Sequence, residues 1–288
     1  MVPRDLLIVV TGASGHVGGL VARELARRGV PLRAVTRNVE RVPDLGGVEV
    51  ALAGYDEPDT LMDALEPGDR VFMVSMHEPP ERRIALHRGF IDVAARRRVA
   101  HVVYLSFVGA GPDASFVHAR SHGATESMLA ESGLSFAAVR NGMYADEIPD
   151  WFDADGVLRE PGDNAAITFT YRPELADAIV AVLTGEDDRR AAVYDITSPP
   201  VTLAELARIA CDVTGRLYRY EAAPHDLWDE RWRAGGRTGW QLGAGHTAYD
   251  ALRAGQLAVI SDDYRTLTGR DPLSVVEIVE RLASQLPL

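Results

Sequence analysis

Residues 5–18, DLLIVVTGASGHVG, decide the fold of this 288-residue chain. The apolar run at residues 6–10 is typical of a strand that is buried on both faces of a parallel sheet. Gly12, Gly15 and Gly18 follow with the spacing G-x-x-G-x-x-G, and an amphipathic helical pattern comes directly after this turn. A glycine-rich turn between a strand and a helix is the context in which this spacing indicates a dinucleotide-binding site. A purely structural turn is the alternative.

Each glycine has a separate purpose in such a turn. Gly12 permits the tight turn out of the strand, Gly15 lets backbone N–H groups approach a pyrophosphate, and Gly18 lets the helix pack closely. The N-terminus of the helix then directs free N–H groups and the positive end of its dipole at the phosphates. The cofactor contacts that we expect in this turn are Gly12, Ser14, Gly15, His16, Val17 and Gly18.

The composition limits the classes of protein to consider. With 47% hydrophobic residues the chain can bury an ordinary globular core, and its length suggests one large or two unequal domains. A formal net charge of −12 argues against nucleic acid or an anionic membrane as a partner. The single cysteine excludes an intramolecular disulfide and a multi-cysteine metal site. Because the sequence shows no signal peptide and no apolar run of membrane length, we expect a soluble, cytoplasmic protein; a homodimer is left open.

Strand and helix patterns alternate through the first half of the chain. Repeated β-α-β units imply right-handed crossovers and a parallel sheet that helices cover on both faces. The sequence therefore predicts an α/β fold with a doubly wound Rossmann sheet, whose ligands bind at the carboxyl ends of the strands. After the first strand, strands are predicted at residues 32–36, 48–52, 70–76, 101–106 and 135–140, and helices at residues 59–66, 80–97 and 114–133.

The pattern changes after Arg140. We predict an NAD(P)-binding domain at residues 1–140 and a smaller α/β substrate cap at residues 141–288, partly interleaved with the sheet, which residues 173–200 would complete. Within the cap we predict a loop-rich segment at 141–172, helices at 173–184 and 202–214, a strand at 193–197, mixed helix and loop at 225–256, and a last helix from Ser274.

The end of the second strand distinguishes the two nicotinamide dinucleotides. An acidic residue about 20 residues beyond the glycines would accept hydrogen bonds from the ribose hydroxyls of NAD. This chain has Thr36-Arg37-Asn38 there, and Arg37 can bind a 2′-phosphate through two hydrogen bonds, with help from Arg33 and Arg41. The pattern favours NADP(H) over NAD(H), and an exposed loop arginine is the alternative.

Three further positions are placed near the cofactor by topology alone. Asp56, after the third strand, either reaches the adenine or caps the next helix. Ser75 ends the fourth strand and should border the cofactor ribose. Asn141 follows the sixth strand and should lie beside the nicotinamide and the substrate.

Six segments carry a resemblance to a known family: TGASGHVG (11–18), VTRN (35–38), YLSFVGA (104–110), LAESGLSFAAVRNGMY (129–144), ADAIVAVL (176–183) and YDITSPPVTLAELA (194–207). They resemble the NmrA-like branch of the atypical short-chain dehydrogenase/reductases, most of all its NAD(P)H:quinone oxidoreductase-like members. The resemblance implies a Rossmann domain, NADP binding and a variable cap over the nicotinamide. The family includes reductases and also redox sensors that bind the cofactor without turning it over.

The resemblance also locates a catalytic slot. Active short-chain reductases carry a Tyr-x-x-x-Lys pair on the helix after the fifth strand, and a serine at the end of that strand polarises the carbonyl. Ser106 matches the serine, whereas His118 and His122 occupy the tyrosine and lysine positions. The usual pair is therefore absent, which places ordinary carbonyl reduction in doubt.

Histidines can replace that pair chemically. His118, His122 and Glu126 share one helical face, and histidine titrates near neutrality, so either ring can act as a general acid or base. Glu126 is expected to orient His122 and to favour its protonated form, which could donate to a substrate oxygen or the nicotinamide ribose. The alternative is that both rings are polar surface or satisfied core groups. Without a third ligand at recognisable spacing, we expect no metal site.

Tyr144 follows the sixth strand near the expected mouth of the site. It is either a replacement proton donor or a packing residue of the cap. A group of aromatic residues either lines an apolar pocket or belongs to the core. The group consists of Trp151, Phe152, Trp228, Trp232 and Trp240.

These features favour an NADPH-dependent oxidoreductase that reduces a quinone or another conjugated carbonyl of apolar shape by hydride transfer. Quinone reduction suits a site without the tyrosine–lysine pair because the developing oxyanion is delocalised. One alternative is an NADP(H)-binding redox sensor without turnover. The other is a non-redox isomerase, dehydratase or cyclase that uses His118 and His122.

Overall fold

The computed structural model describes residues 7–185, 191–237 and 239–287. The strands are β1 (Ile8–Thr11), β2 (Leu32–Thr36), β3 (Glu49–Leu52), β4 (Arg70–Met73), β5 (His101–Phe107), β6 (Phe136–Asn141), β7 (Met143–Tyr144), β8 (Val157–Glu160), β9 (Ala166–Ile167), β10 (Phe169–Thr170), β11 (Ala192–Ile196), β12 (Val201–Thr202) and β13 (Arg219–Ala222). The helices are α1 (His16–Arg27), α2 (Pro58–Ala64), α3 (Pro80–Arg97), α4 (Val117–Glu131), α5 (Ile148–Trp151), α6 (Arg172–Thr184), α7 (Leu203–Thr214), α8 (His225–Ala234), α9 (Gly239–Arg253), α10 (Asp263–Thr268) and α11 (Val275–Leu282).

Seven of the strands form one parallel sheet in the order β11-β6-β5-β4-β1-β2-β3. Successive β1 residues face opposite sides: Val10 packs in a core with α1 and α6, and Val9 packs in a core with α2, α3 and α4. The predicted doubly wound α/β fold is confirmed. The strand order reverses between β1 and β4, which is where ligands bind in such sheets.

Strand β4 is shorter than its apolar pattern predicts. It ends at Met73 rather than Met76, because the next residues bond to side chains instead of to a neighbouring strand. The Val74 amide donates to Thr11 Oγ1 at 3.0 Å, and the Met76 amide donates to His87 Nε2 at 3.2 Å. This departure carries residues 74–76 over the carboxyl edge of the sheet.

Strand β11 lies parallel to β6 at the edge of the sheet, with Val193 opposite Ala138. The strand predicted at residues 193–197 is therefore present one residue earlier, within the segment expected to complete the sheet. The division into domains at residue 140 stays a prediction, and Leu6 of the first apolar run lies outside the described residues.

The second half of the chain surrounds a core of its own, built largely from α7, α9 and α11. This half also contains three two-stranded pairs: β7 with β10, β8 with β13 and β9 with β12. Helix α7 begins with a capping box, in which Thr202 and Glu205 each bond the other's backbone amide. In the part of the chain that the structure describes, no helix combines the length and apolar character needed to cross a bilayer.

Candidate active site

The turn between β1 and α1 has the geometry that its glycines predict. Gly12 has a φ of +60°, a conformation that L side chains rarely adopt. A Cβ at Gly18 would lie 2.2 Å from the carbonyl oxygen of Gly12 and 2.7 Å from its carbonyl carbon. Helix α1 therefore packs against the backbone of the turn at a distance that only glycine permits.

The N-terminus of α1 is open to an anion. Its N-cap is Gly15, no side chain caps it, and its first turn carries no acidic residue. A dinucleotide fits here because free N–H groups and the helix dipole would meet its pyrophosphate. His16 is exposed at the first position of the helix, whereas Val17 is buried in the sheet core, so only the backbone of Val17 is suited to a phosphate contact.

A cleft of about 340 Å³ extends from this turn across the carboxyl ends of β1, β2 and β4. Of the turn residues expected to contact the cofactor, the structure brings Gly12, Ser14 and Gly15 to the cleft. Its lining comprises Thr11, Gly12, Ser14, Gly15, Val35, Thr36, Arg37, Asn38, Arg41, Ala53, Gly54, Tyr55, Val74, Ser75, Met76, His77 and Glu78.

The end of β2 places two arginines at the cleft. Thr36 Oγ1 donates to Ser14 Oγ at 2.8 Å and so ties the glycine turn to the segment that carries Arg37 and Arg41. The expectation that Arg33 assists them is wrong. Its guanidinium lies on the α2 side of the sheet, where Nε is 2.9 Å from a carboxylate oxygen of Glu49.

Asp56 is exposed and lies beside the cleft rather than in its lining, which instead includes Gly54 and Tyr55. Helix α2 has Glu57 at its N-cap and no side-chain cap, so the expectation that Asp56 caps it is wrong. A contact between Asp56 and the adenine stays a prediction.

Residues 75–77 form a wall that separates the cleft from a second cavity, because they line both. Helix α3 fixes this wall at both polar atoms of Met76. Arg83 Nε donates to the Met76 carbonyl at 2.7 Å, and His87 Nε2 accepts from the Met76 amide at 3.2 Å. Since Nε2 of His87 accepts, its proton is on Nδ1, which lies 2.9 Å from Thr125 Oγ1.

The second cavity has a volume of about 440 Å³ and lies between the carboxyl edge of the sheet and helices α8 and α9. Aromatic and methionine side chains provide much of its surface. Its lining comprises Ser75, Met76, His77, Arg83, Leu105, Phe107, Phe116, His118, His122, Asn141, Gly142, Met143, Tyr144, Glu147, Trp232, Arg237, Trp240, Gln241, Ala244, Gly245 and Ala248.

The structure brings His118 and His122 to this cavity. The His118 ring stands edge-on to Phe116, with ring centroids 5.2 Å apart, and to Trp240 at 5.9 Å. Burial, with the nearby charge of Arg83, lowers the pKa of His118 to about 3. The same causes lower the pKa of His122 well below its usual value. Both rings are therefore neutral at neutral pH, and the expectation of a protonated His122 is wrong.

Ser106 and Glu126 lie outside the cavity lining. Ser106 is fully buried, and its hydroxyl donates to Glu126 Oε1 at 2.5 Å. Glu126 also forms a two-point ion pair with Arg140, at 2.6 and 2.9 Å. The expectation that Glu126 orients His122 is wrong, since His122 Nδ1 lies 2.8 Å from the hydroxyl of Tyr104 instead. Nothing in this arrangement supports the predicted contact of Ser106 with a substrate carbonyl.

Tyr144 and Asn141 both line the cavity. Burial, opposed by the guanidinium of Arg172, raises the pKa of Tyr144 to about 12. That guanidinium carbon lies 4.0 Å above the centre of the tyrosine ring. Asn141 is almost fully buried and donates through Nδ2 to the Gly142 carbonyl at 2.7 Å. Tyr144 is thus a weaker acid than an ordinary tyrosine.

The predicted aromatic group divides between pocket and core. Trp232 and Trp240 line the cavity. Trp151 packs on Phe169 and Phe152 packs on Tyr218, with ring centroids 5.3 and 5.0 Å apart. Trp228 is fully buried against Gly245. Trp151, Phe152 and Trp228 therefore belong to the core.

Sequence reasoning missed Arg83, His77 and Arg237, which also line the cavity. Arg83 lies in the run Glu81-Arg82-Arg83 at the start of α3, a pattern that is typical of a solvated helix end. Arg82 fits that interpretation, with a side chain that is 59% exposed, but Arg83 is only 4% exposed. Helical spacing is the signal that could have found Arg83, since it precedes His87, Phe90 and Ile91 by four, seven and eight residues on the buried face of α3.

Known oxidoreductases are similar to this chain over most of its length. A sequence model of a family described as NAD(P)H-binding matches residues 12–186. The chain is 26% identical over 291 residues to the NmrA-like family domain-containing oxidoreductase flvB of Aspergillus flavus, covering 95% of this chain and 94% of the relative. It is 28% identical over 224 residues to quinone oxidoreductase 2 of Escherichia coli, covering 75% and 77% of the two chains.

Among solved structures, the Citrobacter sp. triphenylmethane reductase complexed with NADP(H) superposes with a TM-score of 0.85. That chain is 26% identical to this one, and the match covers 95% of this chain and 99% of the other. The resemblance that the sequence segments indicated is thereby confirmed. The chain belongs to the NAD(P)H-binding family and is an NAD(P)H-dependent oxidoreductase of the NmrA-like type.

Proposed function

We propose that this protein uses NADPH to reduce a quinone or another conjugated carbonyl compound by hydride transfer. The observation that carries the proposal is the wall at residues 75–77, which places an aromatic cavity directly beside the nucleotide cleft. To react with a flat, apolar acceptor in that cavity, a nucleotide in the cleft would extend its nicotinamide past residues 75–77 into the cavity, because hydride transfer requires the reacting atoms to be about 3–3.5 Å apart. The name of the Escherichia coli relative, quinone oxidoreductase 2, supports the same class of substrate.

A bound nicotinamide would supply the hydride, and hydrogen-bond donors of the cavity would stabilise the negative charge that develops on the substrate oxygen until water protonates it. Arg83 and the neutral rings of His118 and His122 are among these donors. A neutral imidazole can donate a hydrogen bond to a developing oxyanion without transferring a full proton. Their role is electrostatic stabilisation rather than acid catalysis.

The acidities of the cavity residues favour a quinone or an enone over a simple ketone. A ketone becomes a localised alkoxide that needs a strong proton donor, whereas a quinone becomes a delocalised anion. The pKa of Tyr144, about 12, and the lowered pKa values of His118 and His122 make these three side chains poor proton donors at neutral pH. The same lowered values disfavour the non-redox alternative, which needs His118 and His122 as an acid–base pair.

The preference for NADPH rests on Arg37 and Arg41. Both line the cleft at the end of β2, where the 2′-phosphate of NADPH would lie, and no acidic residue takes the place of Arg37. Asn38 sits between them, and its side chain accepts from the Glu40 amide at 3.1 Å, which holds the loop in place.

The test is a titration of the protein with NADPH and NADH that follows nicotinamide fluorescence, and then addition of possible acceptors. We expect NADPH to bind more tightly than NADH, and we expect 1,4-naphthoquinone to oxidise the bound NADPH, so that the nicotinamide fluorescence is lost quickly. Cyclohexanone serves as the matched unconjugated acceptor and should react at least about a hundredfold more slowly. Tight binding with no discharge by any quinone or enone would contradict the proposal and support the redox sensor.

A further inference from the structure

We propose that the substrate carries an anionic group, such as a sulfonate, carboxylate or phosphate, which Arg83 and Arg237 bind within the aromatic cavity. This deepens the proposed function by naming a substrate class for the same site. The claim concerns recognition, so it can be tested without turnover.

Arg83 is a buried cation without a carboxylate partner among the described residues. It is 4% exposed, and its two hydrogen bonds go to neutral acceptors, the Met76 carbonyl at 2.7 Å and Ser121 Oγ at 3.0 Å. The nearby Glu78 is paired with Arg82 instead, at 3.3 Å. A buried charge is costly unless a counter-charge balances it, and Glu78 acts on Arg83 only through its field, without an ion pair.

One nitrogen of the Arg83 guanidinium remains available to a ligand. The bonds engage Nε and Nη1, and no described residue accepts from Nη2. Since Arg83 lines the cavity, a ligand there is the partner within its reach. The effect of its charge is visible nearby: after burial, Arg83 is the largest cause of the lowered pKa of His118 and of His122.

Arg237 is a second cation of the same cavity without a carboxylate partner among the described residues. Its side chain is exposed, and its guanidinium carbon lies 4.7 Å above the ring of Trp232. The single acidic residue in the cavity lining, Glu147, is paired with Arg172. The cavity is therefore net positive in a chain whose formal net charge is −12.

That contrast is the reason to infer an anion rather than a neutral quinone alone. A guanidinium binds a sulfonate, carboxylate or phosphate through charge-assisted hydrogen bonds, which are about twice as strong as neutral ones. The aromatic walls would hold the flat part of the same ligand. One arginine lies at the inner wall and the other at an exposed position, so the cavity offers two places where the anionic group can bind.

The test compares two unreactive probes of similar shape, naphthalene-2-sulfonate and 2-naphthylmethanol. Calorimetry measures their binding to the NADP⁺-loaded protein. We expect the sulfonate to bind at least about tenfold more tightly, and the advantage to shrink as salt rises. Equal affinity for the two probes would overturn the proposal. Because neither probe is reduced, a failure of quinone turnover would leave this result interpretable.

Variants locate the preference. Arg237→Ala should reduce the ratio of the two affinities by about threefold or more, and Arg83→Met should abolish the preference. The control is Arg233→Ala, because Arg233 is also an exposed arginine near Arg237 but is paired with Asp229 at 2.9 Å and lies outside the cavity. If Arg83→Met does not fold, Arg237→Ala decides. A ratio that falls equally in Arg237→Ala and the control would count against the proposal.

Discussion

The nucleotide cleft and the substrate cavity share a wall but are built in different ways. Much of the cleft comes from short continuous segments at the ends of β1 and β2, and glycine backbone and loop residues shape it. The cavity is assembled from β5, α3, α4, the loop after β6, and α8 and α9. The cleft follows from local backbone geometry, whereas the chemistry of the cavity depends on which side chains tertiary packing buries. Four experiments test how independent the two regions are.

The largest effect is expected from Gly18→Ala, which acts on the cleft. The new Cβ would lie 2.2 Å from the Gly12 carbonyl oxygen. Because that oxygen belongs to the backbone and cannot rotate away like a side chain, α1 must move away from the turn. We expect the affinity for NADPH to fall by more than about a hundredfold in a fluorescence titration. Normal affinity would show that α1 does not need this close approach.

The control for that experiment is Gly243→Ala in α9. Gly243 is exposed, and a Cβ there would meet no atom within 4 Å. Alanine at this position should bind NADPH normally and stabilise the protein by up to about 1 kcal/mol, because glycine is a poor helix former.

Gly245→Ala should impair the cavity and leave the nucleotide cleft intact. A Cβ at Gly245 would lie 2.1 Å from Cη2 of the buried Trp228, so α8 and α9 must move apart. We expect kcat/KM for 1,4-naphthoquinone to fall by about tenfold to a hundredfold while the affinity for NADPH changes by less than about twofold. Gly243→Ala, two residues away on the same helix, is again the control. Loss of NADPH binding would mean that the cavity helices support the cleft.

Arg37→Glu sharpens the comparison within the cleft. An acidic side chain would repel the 2′-phosphate, so the affinity for NADPH should fall by about tenfold or more while the affinity for NADH changes little. Arg23→Glu makes the same charge change at an exposed position of α1 outside the cleft lining and should leave the ratio of the NADPH and NADH affinities unchanged. If that ratio is also unchanged in Arg37→Glu, another residue binds the 2′-phosphate.

The smallest expected effect is the pH dependence of the cavity. His118 has a pKa of about 3, and the pKa of His122 is also lowered, so neither ring gains a proton until the pH is far below neutral. At saturating NADPH, kcat/KM for the quinone should vary by less than about twofold between pH 5 and 8. An inflection near pH 6.5 that disappears in His118→Gln would show that the histidine titrates normally.

The sequence locates the glycine turn and Arg37 because the determinants of both are local. Gly18 lies within the turn that it allows, and Arg37 follows directly from the end of β2. The histidine pair is also placed correctly in the cavity, since positions four apart share a helical face. Packing between α4 and the sheet, which no spacing reports, turns Glu126 toward Arg140 rather than toward His122.

Charge state is what sequence reasoning could not reach. A histidine has an ordinary pKa until burial and a nearby cation act on it, and both require the folded structure. Arg83 provides that cation, yet in the sequence it is one of two adjacent arginines at a helix start. Helical spacing puts Arg83 on the same face as Phe90 and Ile91, but only the packing of α3 against Met76 and Ser121 shows where its charge lies.

The wall at Met76, which α3 holds in place, has a consequence for how the two ligands affect each other's binding. Residues 75–77 line both spaces, and α3 holds both polar backbone atoms of Met76. A ligand in the cleft and a ligand in the cavity would therefore contact the same short segment. Thermodynamic linkage then makes the effect mutual: the factor by which the nucleotide changes the affinity for the acceptor is the factor by which the acceptor changes the affinity for the nucleotide. If reduced nucleotide strengthens acceptor binding, the acceptor will strengthen the binding of reduced nucleotide by the same factor, so each substrate favours the ternary complex in which the hydride is transferred.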